Sequence, residues 1–149
     1  MNRASMGFAW PRCATNAHGI DSPLHPWHHL DQCLSTALPL INLRTSLPEI
    51  ANQTELLQEL SSTLAQQTGK PEMYVMTLLE TGVSMTFGGG TDPSAFVEIK
   101  SIGSLRPPAM SAAFCELISA RTGIPADRIY IQFEDVAAGS WGWDGRTFG

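Results

Sequence analysis

Apolar and polar residues alternate through Leu38-Pro39-Leu40-Ile41-Asn42-Leu43, and the pattern predicts a half-buried strand over residues 39–44. A turn containing Pro48 follows over 46–51. Asn52 with Glu55 fits a capping box at a helix start. Leu56, Leu57, Leu60 and Leu64 then recur on one helical face, until Gly69 stops the helix and Pro71 prevents its resumption. Residues 74–79 form a nearly continuous apolar run, the mark of a strand covered on both faces. A short strand is expected over Ser84–Phe87, before Gly88-Gly89-Gly90.

The plan then repeats. Residues 95–102 read as a strand, and Pro107-Pro108 opens a second helix. Met110, Ala113, Phe114, Leu117 and Ile118 are spaced as one helical face, and Gly123 and Pro125 end it. Ile129–Phe133 reads as another strand. The two helix exits match, Thr68-Gly69-Lys70-Pro71 and Thr122-Gly123-Ile124-Pro125, each ahead of an apolar strand. Two copies of a strand-helix-strand unit give an α+β fold. Its four-stranded mixed sheet carries two helices on one face. Two helices leave the other face open, and burial at ~25 cal/mol per Å² favours covering it, so self-association is expected.

The 149 residues suit one domain, and 43% apolar content supports a core. The formal net charge is −5, so a nucleic-acid surface is not expected. No apolar run reaches the ~18 residues of a membrane helix, and the first residues lack a signal-peptide pattern. A cytoplasmic location follows as an expectation. Cys13, Cys33 and Cys115 lack metal-type or redox-type spacing. Cys115 falls within the second helix and reads as buried and inert.

Residues 1–38 differ from the rest. They hold His18, His25, His28 and His29, and no helical or strand period runs through them. Three readings apply. His25, His28, His29 and Cys33 could hold a metal; the segment could be an unstructured extension with accidental histidines; or it could be untranslated, with Leu38 as the start site and Pro39 the first residue after trimming. Intact mass separates the last from the others.

From Pro39 to Gly149 the chain resembles the macrophage migration inhibitory factor family of the tautomerase superfamily. The likeness lies in the Pro39 strand, Leu64-Ala65-Gln66-Gln67-Thr68-Gly69-Lys70-Pro71 and Phe87-Gly88-Gly89. It continues through Ser101-Ile102-Gly103, Asp127-Arg128-Ile129-Tyr130-Ile131, Gly142-Trp143 and Thr147-Phe148. The resemblance implies a homotrimer with active sites between subunits, and keto–enol tautomerisation of phenylpyruvate-like and dopachrome-like substrates, with no metal or cofactor. It also leaves non-classical secretion open. Such proton transfer needs a base unprotonated near neutral pH. A terminal proline nitrogen is a basic secondary amine, whereas an internal one is an amide with no proton. Apolar walls and a nearby cation lower an amine's pKa. The resemblance makes Pro39 the base, and Lys70 that cation and a partner for a substrate carboxylate. The backbone N–H of Ile102 becomes a second substrate contact, and Tyr130 the hydroxyl from a neighbouring subunit. Gln132 stands beside the site, and Tyr74, Trp143 and Phe148 line an aromatic pocket.

Each residue also has a plainer reading. With residues 1–38 attached, Pro39 merely starts an edge strand. Lys70 could be a solvated helix-end lysine favoured by the helix dipole, Tyr74 and Tyr130 strand core, and Trp143 and Phe148 packing at a trimer edge. Departures from the family pattern are visible. Ala95-Phe96-Val97-Glu98 replaces the Cys-x-x-Cys of vertebrate cytokine members, Gln132 stands for Asn, Trp141 for a smaller apolar residue, and Glu49 for an Arg. The loop after Gly103 is shorter. Two functions stay open: a tautomerase with a free Pro39, or a non-catalytic, cytokine-like binding protein or trimeric scaffold.

Overall fold

The structure is a computed structural model that describes residues 38–149. The histidines and the two cysteines of the N-terminal segment, and so the candidate metal group, lie outside the described residues. Strands β1 (Leu40–Thr45), β2 (Met76–Glu80), β3 (Ala95–Ser101) and β4 (Ile129–Asp135) form one sheet in the order β2-β1-β3-β4. β1 pairs parallel with β2 and antiparallel with β3, and β3 pairs parallel with β4. Helix α1 (Gln53–Thr68) connects β1 to β2, and α2 (Pro107–Thr122) connects β3 to β4. The doubled strand-helix-strand plan read from the sequence is therefore the fold.

Strand alternation sends Ile41, Leu43, Val97, Ile99 and Ile129 inward. There they meet Leu56, Leu60 and Leu64 of α1 and Met110, Phe114 and Ile118 of α2 in a single buried cluster. One core shared by both helices and one sheet face means that both helices cover the same side. Leu57, Ala113 and Leu117 are half-buried at the rim of those faces, as is Cys115, whose thiol burial pushes up in pKa.

The opposite sheet face is open in the single chain, and it is more polar than the apolar run of β2 suggests. Asn42 Nδ2 donates to Glu80 and Glu98; Arg44 pairs with both carboxylates, and Lys100 with Glu98 and Glu134. The apolar part of this face is narrower: Met76 and Leu78 project from β2, 57% and 43% exposed. The expectation that residues 74–79 are covered on both faces is thus corrected for one copy. The alternate side chains Thr77 and Leu79 point to the core and only half bury.

Three other local expectations change. Asn52 makes no side-chain cap; its backbone is left-handed, φ 55°, so its amide cannot turn back on the first helical turn. Residues 84–87 form no strand among the described residues. A strand needs a ladder partner, and here Phe87 and Gly90 exchange both backbone hydrogen bonds across Gly88-Gly89. Tyr74 falls in a 3-10 turn, Glu72–Tyr74, so β2 begins two residues later than read. Beyond Phe133, β4 continues through Glu134 and Asp135, polar residues that end the apolar run but not the ladder.

Candidate active site

The first residue of interest lies where β1 begins. Pro39 is buried, and its carbonyl accepts a hydrogen bond from Met76 N–H at 3.0 Å. Leu40 pairs with Lys100, so one step back along the antiparallel ladder Pro39 faces Ser101. The start of β1, the start of β2 and the end of β3 thus share one end of the sheet.

Lys70 reaches the same place from α1. Gly69 closes the helix in the left-handed conformation, φ 70°, a geometry that costs other residues ~1–2 kcal/mol. The chain then turns inward, and Lys70 is only 5% exposed. Its Nζ donates to Ser101 Oγ at 2.9 Å and to the Ile102 carbonyl at 2.7 Å. Burial lowers the pKa of the ammonium below its usual value, and the charge of Asp135 opposes that shift. The reading of Lys70 as a solvated helix-end lysine is overturned.

Ile102 follows the last residue of β3. The next two residues, Gly103 (φ 67°) and Ser104 (φ 64°), are both left-handed. Gly103 N–H donates to Asp135 Oδ1 at 2.7 Å, and Val136 N–H to the Ser101 carbonyl at 2.9 Å. Ser101 and Asp135 are paired in register, so the end of β4 holds the exit of β3.

Tyr74 and Trp143 meet edge to face, their ring centroids 6.1 Å apart. Trp143 lies in a hairpin, β5 (Gly142–Trp143) with β6 (Arg146–Thr147), turned by left-handed Asp144 and Gly145. Sequence reading missed this hairpin, although Asp-Gly is among the strongest hairpin-turn signals. Phe148 is half-buried, its N–H shared between the Ala138 and Trp141 carbonyls.

Two expected residues stand apart. Tyr130 pairs with Phe96, and the ladder runs from there to Ser101 and Asp135. Five strand residues span about 16 Å, so Tyr130 lies far along the sheet from Lys70. It is 65% exposed and packs on Phe87 at 4.8 Å between centroids. Gln132 is also exposed, midway along β4. Within one chain, then, Pro39, Lys70 and Ile102 gather at one end of the sheet, while Tyr130 and Gln132 do not join them. A cleft of about 350 Å³ lies at the far end, lined by Arg44, Phe87, Phe96 and Tyr130. Ser101 and Asp135 complete the Lys70 corner; from sequence Ser101 figures only within the Ser101-Ile102-Gly103 match, without a site role, and Asp135 not at all. Asp135 lies in no apolar period, and only the strand register brings it beside the strand end that leads into Ile102.

Comparison with known proteins follows the same bounds. The family model described as macrophage migration inhibitory factor (MIF) matches residues 38–149. The chain is 37% identical over 114 residues to macrophage migration inhibitory factor of Meriones unguiculatus, a match covering 74% of this chain and 99% of that protein. It is 34% identical over 115 residues to the homolog of Brugia malayi, covering 75% and 100%. Among solved structures it is similar to the macrophage migration inhibitory factor homologue from Prochlorococcus marinus, with TM-score 0.72, 56% identity, and coverage of 74% and 99%.

Proposed function

The chain belongs to the macrophage migration inhibitory factor family, and from that premise we propose that it is a keto–enol tautomerase acting on phenylpyruvate-like and dopachrome-like compounds. Pro39 is its base once residues 1–38 are absent. The observation that carries this reading is the buried ammonium of Lys70, held at the sheet end where β1 begins. Burying a cation costs desolvation, and the hydrogen bonds to Ser101 and Ile102 leave its pKa still lowered. Here it would keep a neighbouring terminal amine unprotonated and attract a substrate carboxylate. The amine takes a proton from the carbon beside the carbonyl, the enol oxygen gains one, and the reverse path restores the ketone. No electrons change hands.

The family model matches from residue 38 onward, and the matched relatives align over nearly their whole length with about three quarters of this chain. That alignment supports Pro39 as a first residue. Lys70 and the Ile102 N–H would hold the carboxylate, and Tyr74, Trp143 and Phe148 the aromatic ring. Tyr130 and Gln132 would enter from a neighbouring copy in a homotrimer, which accounts for their distance from Lys70 within one chain.

The test is direct. Phenylpyruvate enol conversion is followed by absorbance for a chain beginning at Pro39 and for the full chain with residues 1–38 retained. Activity in the first and none in the second supports the reading. Equal activity with the extension attached removes Pro39 from the mechanism.

A further inference from the structure

We propose that Asp135 is a positioning residue: it clamps the Ile102–Gly103 peptide, so that Lys70 presents its ammonium to a substrate carboxylate. The Ile102 carbonyl and the Gly103 N–H belong to one planar peptide group. Lys70 Nζ binds its oxygen at 2.7 Å, and Asp135 Oδ1 accepts from its nitrogen at 2.7 Å. One rigid plane is held at both ends, by a cation on the carbonyl side and an anion on the amide side. Each bond polarises the peptide in the sense that strengthens the other.

The turn needs such a clamp. Gly103 and Ser104 are successive left-handed residues, a conformation that costs a side-chain-bearing residue ~1–2 kcal/mol. A Cβ on Gly103 would meet nothing within 4 Å, so glycine serves the dihedral and not the packing. A turn that neighbours do not wedge in place is fixed by its hydrogen bonds. Without Asp135, the peptide is held only at its carbonyl, by Lys70, and it gains freedom to rotate. Rotation would swing the N–H toward the ammonium and push Lys70 off its seat. Val136 N–H on the Ser101 carbonyl keeps the strand end in place meanwhile, so the effect stays local.

The inference rests on the proposed carboxylate substrate for its choice of ligand, and its test does not depend on turnover. Phenylacetate and its methyl ester are titrated against the protein expressed from the full reading frame, with binding read from amide resonances. Asp135→Ala should weaken phenylacetate about tenfold, the cost of misplacing one charge-assisted contact, and leave the ester unchanged. Asp135→Asn keeps an acceptor oxygen for Gly103 N–H and should restore phenylacetate binding to within about threefold of the parent. The proposal is overturned by a parent that does not bind phenylacetate, by equal binding in Asp135→Ala, by equal losses for acid and ester, or by an Asn variant as weak as the Ala one. Asp135-dependent phenylacetate binding, with no phenylpyruvate conversion by the Pro39-initiated chain, would keep the clamp and sink the tautomerase reading.

Discussion

Lys70 Nζ donates to the Ile102 carbonyl at 2.7 Å, joining the exit of the first helix to the exit of the third strand. The bond is made by a charged group that is almost wholly out of solvent. Removing that charge should separate function from stability. Lys70→Met keeps most of the volume and the apolar stem. It is expected to raise KM for phenylpyruvate tenfold or more in the Pro39-initiated chain. Unfolding free energy in urea should fall by no more than about 1–3 kcal/mol, because the hydrogen bonds lost at Ser101 and Ile102 are partly offset by an ion that no longer has to be desolvated. A variant with unaltered KM would show that Lys70 does not meet substrate.

The base is tested at its own position. Pro39→Gly in the Pro39-initiated chain keeps a terminal amine but replaces a secondary amine by a primary, less basic one. Phenylpyruvate conversion should fall by at least about tenfold, in line with the usual contribution of general-base catalysis. Retention of the full rate would assign the proton transfer elsewhere.

Asn52 separates two accounts of the start of α1. Serine caps helices as well as asparagine does, but tolerates left-handed backbone less well. With Asn52 at φ 55° and no side-chain cap, Asn52→Ser should cost about 1 kcal/mol in urea unfolding. A capping box would predict no loss.

Phe114 is fully buried between the helices and the sheet. Phe114→Ala should destabilise the chain by about 3–5 kcal/mol. The urea midpoint should fall while the slope stays the same. A cost under ~1 kcal/mol would place Phe114 outside the folding core.

On the open sheet face, hydrogen bonds from Arg44 and Asn42 hold the Glu80 carboxyl below its ordinary value of 4.5. A depressed acid stabilises the fold above its unfolded pKa, and that contribution is lost as pH falls through the folded one. Glu80→Gln should therefore be less stable than the parent at pH 7. The gap between them should close on acidification from about pH 4.5 downward. Urea midpoints across that range give the answer, and a constant gap would contradict it.

Much of the fold was legible because apolar spacing reports burial directly. Leu56, Leu60 and Leu64 announce α1, and Met110, Phe114 and Ile118 announce α2. The repeated Thr-Gly-x-Pro exits mark two equivalent units. What the pattern hid depends on pairing or on backbone conformation. Glu134 and Asp135 extend β4 without any apolar signal, since the ladder there is secured by β3. Asn52 carries the right residue type for a cap in the wrong conformation. Of the candidate site, Lys70 lies against the Ile102 carbonyl, a contact that no sequence spacing announces. Tyr130 is a different case, since its side chain lies on the far reach of the same sheet. Asp135 escaped notice because its value comes from a register, which no local window of sequence displays.

The joint Thr68-Gly69-Lys70 has a consequence for how this chain can vary. Thr68 Oγ1 returns to the Leu64 carbonyl at 2.7 Å, Lys70 N–H to the Ala65 carbonyl at 3.1 Å, and the lysine turns inward directly after the glycine. An inserted or deleted residue here would rotate the following side chain by about 100° around the helix axis. The ammonium would then face water rather than Ser101 and Ile102. Length at this bend is thus as constrained as side-chain identity, and indels among relatives should be sought on either side of it and never across it.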